Sequence, residues 1–337
     1  GSDFPRSGSN VNEADLLQAF GELFFEDAFG EGRPLRFQAG RLSIDYVDRR
    51  LRSRNGFRNT TNSFDGFRVQ IGSRESDWEI DAFAVQPVAR NPNRFDHPDE
   101  ERWFYGVAGA WRRWSSIITL EPYYFVLDED RSRQRDVELH TFGLRGYGPI
   151  GQSGFDYDFD AALQYGRNQG LNHRAYAAHA ELGYTFERPW DPRLAAWINY
   201  ASGDRQPNDS VSGRFNPLFG SSHGMYGFSD MFNWQNIINP AMGVQFQPTD
   251  QTRCAVIYRG YWLASKKDGF VRGGRIDPRG DSGRFIGQEL DLLVLHQLTD
   301  CFSIELGYAH FIAGTFVRST GPSPDTDMFY VQTTLRF

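Results

Sequence analysis

From Phe155 to Tyr165 every second residue (Phe155, Tyr157, Phe159, Ala161, Leu163, Tyr165) is apolar or aromatic, while Asp156, Asp158, Asp160, Ala162, Gln164 and Gly166 fall between and after them. A period of two belongs to a β-strand, and a strand so patterned separates an apolar medium from water. The same alternation returns at Phe67/Val69/Ile71 against Arg68/Gln70, and at Cys254/Val256/Tyr258/Trp262 against Arg253/Arg259/Tyr261. It returns again at Ile286/Leu290/Leu292/Val294 against Glu289/Asp291, where Leu293 and Leu295 blur the polar side. Helical stripes of comparable length do not occur, and Leu16 to Phe25 is the one ambiguous run.

Cutting the chain at its turn signals predicts about fifteen strands, over 12–27, 34–46, 64–73, 77–88, 102–113, 115–127, 136–147, 154–168, 171–187, 193–203, 233–247, 251–264, 283–297, 301–313 and 326–337. Many exceed the five or six residues usual in soluble sheets and match the roughly 9–11 needed to cross a bilayer at a tilt. Their connections alternate. Counted back from the C-terminus, those around Thr299, Pro248, Arg188, Pro149, Trp114, Ser73 and Gly30 are short. The connections at 314–325, 265–282, 204–232, 128–135, 89–101 and 47–63 are mostly long and polar, with Gln169–Gly170 the exception. Short periplasmic turns and long extracellular loops are the outer-membrane barrel pattern.

Composition agrees. Aromatics make up 15% of the 337 residues, there are 35 glycines, and of 36 basic residues only Lys266 and Lys267 are lysine. No run of about 20 apolar residues exists for a membrane helix, and mean hydropathy is −0.56. GSDFPRSGSN at the start has no basic segment followed by an apolar one, so a secretory signal is not expected within it. Trp78, Trp111, Trp114, Trp190 and Trp197 fall near short turns, and Trp103, Trp234 and Trp262 near long loops, as two interfacial girdles require. Phe329, Val331, Thr333, Leu335 and Phe337 alternate with polar residues up to the C-terminus, resembling the insertion signal of outer-membrane proteins.

The expectation is therefore an all-β chain, one domain over 1–337, folded as a transmembrane antiparallel up-and-down β-barrel. With the C-terminus in the periplasm an odd strand count starts the first strand outside, whereas single-chain barrels are usually even. A strand preceding residue 1, or one assigned wrongly, is expected to bring the whole to about 16 to 18. Residues 1–10 are not expected to supply it.

Several runs together resemble the alginate-export family of outer-membrane barrels: Leu35-Arg36-Phe37-Gln38-Ala39-Gly40-Arg41, Ser63-Phe64-Asp65-Gly66-Phe67-Arg68, Tyr200-Ala201-Ser202-Gly203-Asp204, Phe215-Asn216-Pro217-Leu218-Phe219 with His223, Tyr226-Gly227-Phe228 and Asp230, Gly287-Gln288-Glu289-Leu290-Asp291, and Gly307-Tyr308-Ala309-His310-Phe311. Leu42 stands where the family usually has Gln. The resemblance implies an outer-membrane porin in contact with lipid, passing a hydrophilic, anionic solute such as an alginate-like polysaccharide or acidic sugar. It implies no cofactor, no catalysis and no nucleic acid.

A barrel of this size leaves an aqueous channel, and its wall charge selects what passes. Strand parity assigns Arg41, Arg68, Arg145, Arg253, Arg259 and Arg336 to the lumen, facing carboxylates that include Asp81, Asp158, Glu289 and Asp291. Guanidinium groups pair bidentately with carboxylates, so these arginines either line the solute path or brace the wall. A weak Ca²⁺ candidate is the oxygen set Asp204, Asn208 and Asp209. Two other readings stay open: a scaffold for a periplasmic or surface partner, and a hydrolase using Ser221, Ser222, His223 and Asp230. Cys254 and Cys301, one strand apart in this order, are expected to be free thiols.

Overall fold

A computed structural model describes residues 15–45, 47–57, 60–91, 93–130, 136–270 and 272–336. Seventeen strands follow one another: β1 (Ala19–Phe25), β2 (Leu35–Leu42), β3 (Phe64–Ile71), β4 (Trp78–Ala89), β5 (His97–Pro98), β6 (Arg102–Trp111), β7 (Thr119–Glu129), β8 (Val137–Pro149), β9 (Phe155–Asn168), β10 (Leu171–Thr185), β11 (Arg193–Ala201), β12 (Val211–Ser212), β13 (Ile237–Thr249), β14 (Thr252–Trp262), β15 (Phe285–Thr299), β16 (Phe302–Ala313) and β17 (Thr326–Leu335). The two-residue pieces β5 and β12 are clips. β5 pairs with the end of β4, and β12 lies parallel to the start of β10. The fifteen long strands are the fifteen expected.

Each long strand pairs antiparallel with the next, from β1–β2 through to β16–β17. This is an up-and-down outer-membrane barrel wall. Alternating direction leaves β1 and β17 pointing the same way, so an antiparallel ladder cannot join them directly. The further strand expected from parity, residues 1–14 and the terminal Phe337 all lie outside the described residues. The exceptional tight connection between β9 and β10 is explained by backbone geometry. Gln169 and Gly170 take φ of 54° and 83°, the double left-handed turn that matches the twist of a two-residue hairpin.

The outward face is apolar: Phe67, Leu163, Leu182, Leu194, Met242, Phe329 and Val331 are all exposed. Trp103, Trp111, Trp114 and Trp190 are exposed as well, as interfacial residues should be. Two tryptophans depart from the expected girdles. Trp234 is fully buried inside the barrel, and Trp197, on the inward side of β11, lies under the Arg259 guanidinium 5.3 Å away. Trp234 packs edge-on against Phe215 of the same inward segment, 5.4 Å between centroids, which position along the chain does not reveal.

Boundaries differ at several places: β1 covers only Ala19–Phe25 of the expected 12–27, and β2 ends at Leu42 rather than 46. β7 starts at Thr119 rather than 115, and Thr315–Thr320 form a short helix in the connection expected to be plain loop. β13 starts at Ile237 rather than 233. There Asn236 leaves the ladder with φ 45° and spends its amide on Ser265 O, Gly269 O and Ser265 N at 3.2, 3.1 and 2.7 Å. Cys254 on β14 and Cys301 before β16 are both free, with β15 between them.

Candidate functional site

The lumen is filled at the long-loop end and open at the short-turn end. The described residues of two connections, 43–63 and 202–236, fold inward and meet each other. Ser53 N donates to Phe219 O at 3.0 Å, Phe219 N to Leu51 O at 3.0 Å and Ser221 N to Arg49 O at 2.9 Å. Gly220 sits at the crossing, where a Cβ atom would lie 1.7 Å from Arg50 O. Around them Leu42, Ile44, Leu51, Phe64, Phe83, Phe104, Phe215, Tyr226 and Trp234 form one buried apolar cluster. Several backbone positions in this plug are strained: Val47, Arg49, Leu218 and Asp230 have φ of 57°, 70°, 50° and 58°. Left-handed geometry is costly for a β-branched residue such as Val47, and strain of this kind concentrates at functional segments.

Wall side chains grip the plug through its backbone. Glu289 accepts from Phe228 N at 2.9 Å, Ser229 N at 3.3 Å and Ser229 Oγ at 2.5 Å. Arg259 donates to Asp291 at 2.8 Å, Gly224 O at 2.9 Å and Met225 O at 3.2 Å. Gln164 holds Asn216 at both its N–H and its C=O, at 2.8 and 2.7 Å. From the other connection, Arg50 donates to Asn199 Oδ1 at 3.0 Å, and Asn199 in turn donates to Asn239 Oδ1 at 3.0 Å. Asp81 receives Arg52 at 2.5 Å and Arg68 at 2.8 Å.

Below the plug is a cavity of about 500 Å³ whose wall includes Arg49, Arg74, Arg112 and Arg145 against Asp45, Glu79 and Glu121. Arg145 donates to Glu121 at 2.9 Å and Asp158 at 2.5 Å, and Arg112 contacts Glu79 at 3.2 Å. Arg49 and Arg74 are exposed, and among the described residues neither guanidinium has a partner.

The sequence-derived arginines thus divide. Arg68, Arg145 and Arg259 line the lumen and are paired, Arg259 being only 1% exposed. Arg253 and Arg336 lie toward the short-turn end with inward parity and exposed side chains. Arg41 is a correction. It shares a face with the exposed Phe37, because Leu42 and Phe64 take the inward positions in the buried cluster. On the outer side Arg41 is clasped by Asp65 at 2.8 Å and Asp15 at 2.9 Å. Asp81, Asp158, Glu289 and Asp291 face inward and hold the contacts given above. Sequence reading missed the loop arginines Arg49, Arg50 and Arg52. The dense run Arg49-Arg50-Leu51-Arg52-Ser53-Arg54 is the signal that marks them.

The other constellations do not assemble. Asp204 and Asp209 turn their carboxylates to Gln206 N and Val211 N at 3.1 and 2.7 Å. The described residues contain no metal-sized cluster of His, Cys, Asp or Glu. Ser222 Oγ accepts from Arg272 at 2.6 Å, while the His223 ring is stacked on Phe57 and Phe228, 3.4 and 5.3 Å between centroids. His223 reaches Asp230 at 3.5 Å, but no described contact joins it to a serine hydroxyl.

The family model for alginate export matches residues 3–331. Among solved structures the chain is similar to Pseudomonas aeruginosa OccK7 (OpdD), at 14% identity and TM-score 0.59 over 90% of this chain and 76% of that one. Pseudomonas aeruginosa OccK8 (OprE) gives 14% and 0.58 over 90% and 79%, and Acinetobacter baumannii OccAB3 gives 10% and 0.57 over 89% and 76%. At such identities the likeness is one of fold. No curated protein matches the sequence. Family and fold neighbours are porins rather than enzymes. The inward-facing charges, the apolar exterior and the family match lead to one assignment: the chain belongs to the alginate-export family of outer-membrane β-barrels.

Proposed function

We propose that this barrel is a passive outer-membrane channel for a hydrophilic, anionic solute of the alginate-like polysaccharide or acidic-sugar class. The observation that carries the reading is the vestibule, where Arg49 and Arg74 remain exposed among walls whose other charges are matched. A carboxylate entering there exchanges its water for guanidinium donors, and the arginines Arg253 and Arg336 at the same end extend the positive approach. The plug of 43–63 and 202–236 sets the constriction, so passage of anything larger than small ions requires it to shift. Direction follows the concentration gradient.

Single-channel recording in planar bilayers with a salt gradient tests this. Reversal potentials should show anion preference, and replacing Arg49 and Arg74 together by Gln should reduce that preference, more in 0.1 M than in 1 M salt, where screening lengths are about 10 and 3 Å. Cation preference that is indifferent to both substitutions would sink the proposal. A filled lumen also favours a second reading, a scaffold for a periplasmic or surface partner. A stable protein complex without measurable conductance would select it.

A further inference from the structure

On the outer face of β9 and β10 the exposed apolar residues end in aromatic ones, Tyr165 and Tyr176, at the long-loop end. Two arginines continue that face beyond them. Arg174 stands opposite Tyr165, and Arg167 stands opposite Asn172, two residues from Arg174. On adjacent strands such a diagonal separates Cα atoms by about 7–8 Å. A third, Arg205, reaches the Tyr176 hydroxyl at 3.4 Å, and Tyr200, stacked on Tyr176 at 5.4 Å, donates to the same oxygen at 3.3 Å. All three arginines are exposed, and among the described residues Arg167 and Arg174 have no hydrogen-bond or ion-pair partner. The nearest carboxylate by register is Glu138, opposite Arg167, whose Oε1 lies 3.2 Å from His140 Nε2. Arg41 supplies the contrast, since it faces outward at the same end but is neutralised by Asp65 and Asp15.

Directly below the tyrosines the outer surface is shallow. Ala161 and Ala178 face each other across β9 and β10, and Ala180, next along on this face, lies between Phe159 and Ile198. From Tyr176 to Tyr184, the aromatic residues bounding this strip, runs about 26 Å of strand, or roughly 20 Å along the membrane normal at a 40° tilt. The arginines therefore stand at headgroup height on the extracellular side, above a floor that leaves room for hydrocarbon chains.

We propose that the outer face of β9–β11 binds a phosphorylated glycolipid of the outer leaflet. Its phosphates lie on Arg167, Arg174 and Arg205, its sugar hydroxyls at Tyr165 and Tyr176, and its acyl chains over the alanine floor. Guanidinium pairs and phosphate match in both charge and geometry.

The test is native mass spectrometry of the delipidated barrel in detergent, offered diphosphoryl lipid A, the same lipid without phosphates, or inorganic phosphate. Diphosphoryl lipid A should remain bound to the wild-type chain, and R167Q/R174Q/R205Q should retain about tenfold less or lower still. The corresponding triple Lys variant should retain more than the Gln one, and single-channel conductance of R167Q/R174Q should match the wild type. A heat-dependent shift in gel mobility verifies that each variant is a folded barrel. Equal retention by the Gln variant, or equal retention of the phosphate-free lipid, would overturn the proposal. Inorganic phosphate binding as firmly as the lipid would overturn it too, showing an anion site with no lipid component.

Discussion

Arginine and carboxylate meet at two depths in this barrel, and the depth decides what the pair does. In the plugged half, Asp81 holds Arg52 and Arg68 where Asp81 and Arg52 are 0% and 1% exposed. In the vestibule Arg145 shares Glu121 and Asp158, with 25% of the Asp158 side chain still accessible. At the mouth Arg33 and Asp77 pair with 32% and 40% of their side chains in water. A buried ion has lost its water and depends on its partner, whereas an exposed one exchanges partner for solvent at little cost. The plug region thus uses charge to lock a structure. The vestibule leaves part of its charge available to a solute.

The sharpest way to break that contrast is Asp81→Asn, which removes the buried carboxylate that two guanidinium groups share. It should cost about 3–5 kcal/mol of unfolding free energy, read by urea denaturation in a lipid or detergent host. Asp158→Asn leaves Arg145 with Glu121 at a partly wet site and should cost under about 1 kcal/mol. Equal losses would show that depth is not the controlling variable.

Gly220→Ala probes the plug without touching charge. Its Cβ would lie 1.7 Å from Arg50 O and 3.1 Å from Pro217 O, both backbone atoms, so the two inner loops must separate. The barrel wall should persist while conductance rises severalfold in planar bilayers. An unchanged conductance from a folded barrel would mean that these loops do not form the constriction.

Much of this was legible from period alone. The fifteen long strands, the inward face of β9 with Asp158 and Asp160, and the inward Glu289 and Asp291 all follow from alternation, because one face must meet lipid and the other water. The plug was not legible. Residues 47–63 and 204–232 read as polar loops and Trp234 as the start of a strand, and nothing local in Phe215, Tyr226 or Trp234 says that they bury inside a barrel rather than cover its rim. Arg41 failed for a narrower reason. An arginine on a strand suggests the lumen, but the register of Leu42 and Phe64 turns it outward, where Asp15 and Asp65 shelter it.

The smallest effect belongs to the exposed pair that joins the β1–β2 turn to the β3–β4 turn. Arg33 donates to both oxygens of Asp77, at 2.9 and 2.8 Å, and these hydrogen bonds hold the Asp77 carboxyl below its ordinary range. Unfolded, the same carboxyl titrates near 3.9. The unfolded chain therefore binds the proton first, so the stabilisation from this pair is complete above about pH 5 and is lost as pH falls through the depressed native value. Subtracting the thermal midpoint of Asp77→Asn from that of the wild type should leave a small positive difference at pH 7 that shrinks toward zero on acidification. High salt should flatten it, since an exposed pair is screened. A difference as large as that of Asp81→Asn, or one that grows on acidification, would show that the mouth is held together as the plug is, and the distinction between a locked interior and a solvated vestibule would have to be redrawn.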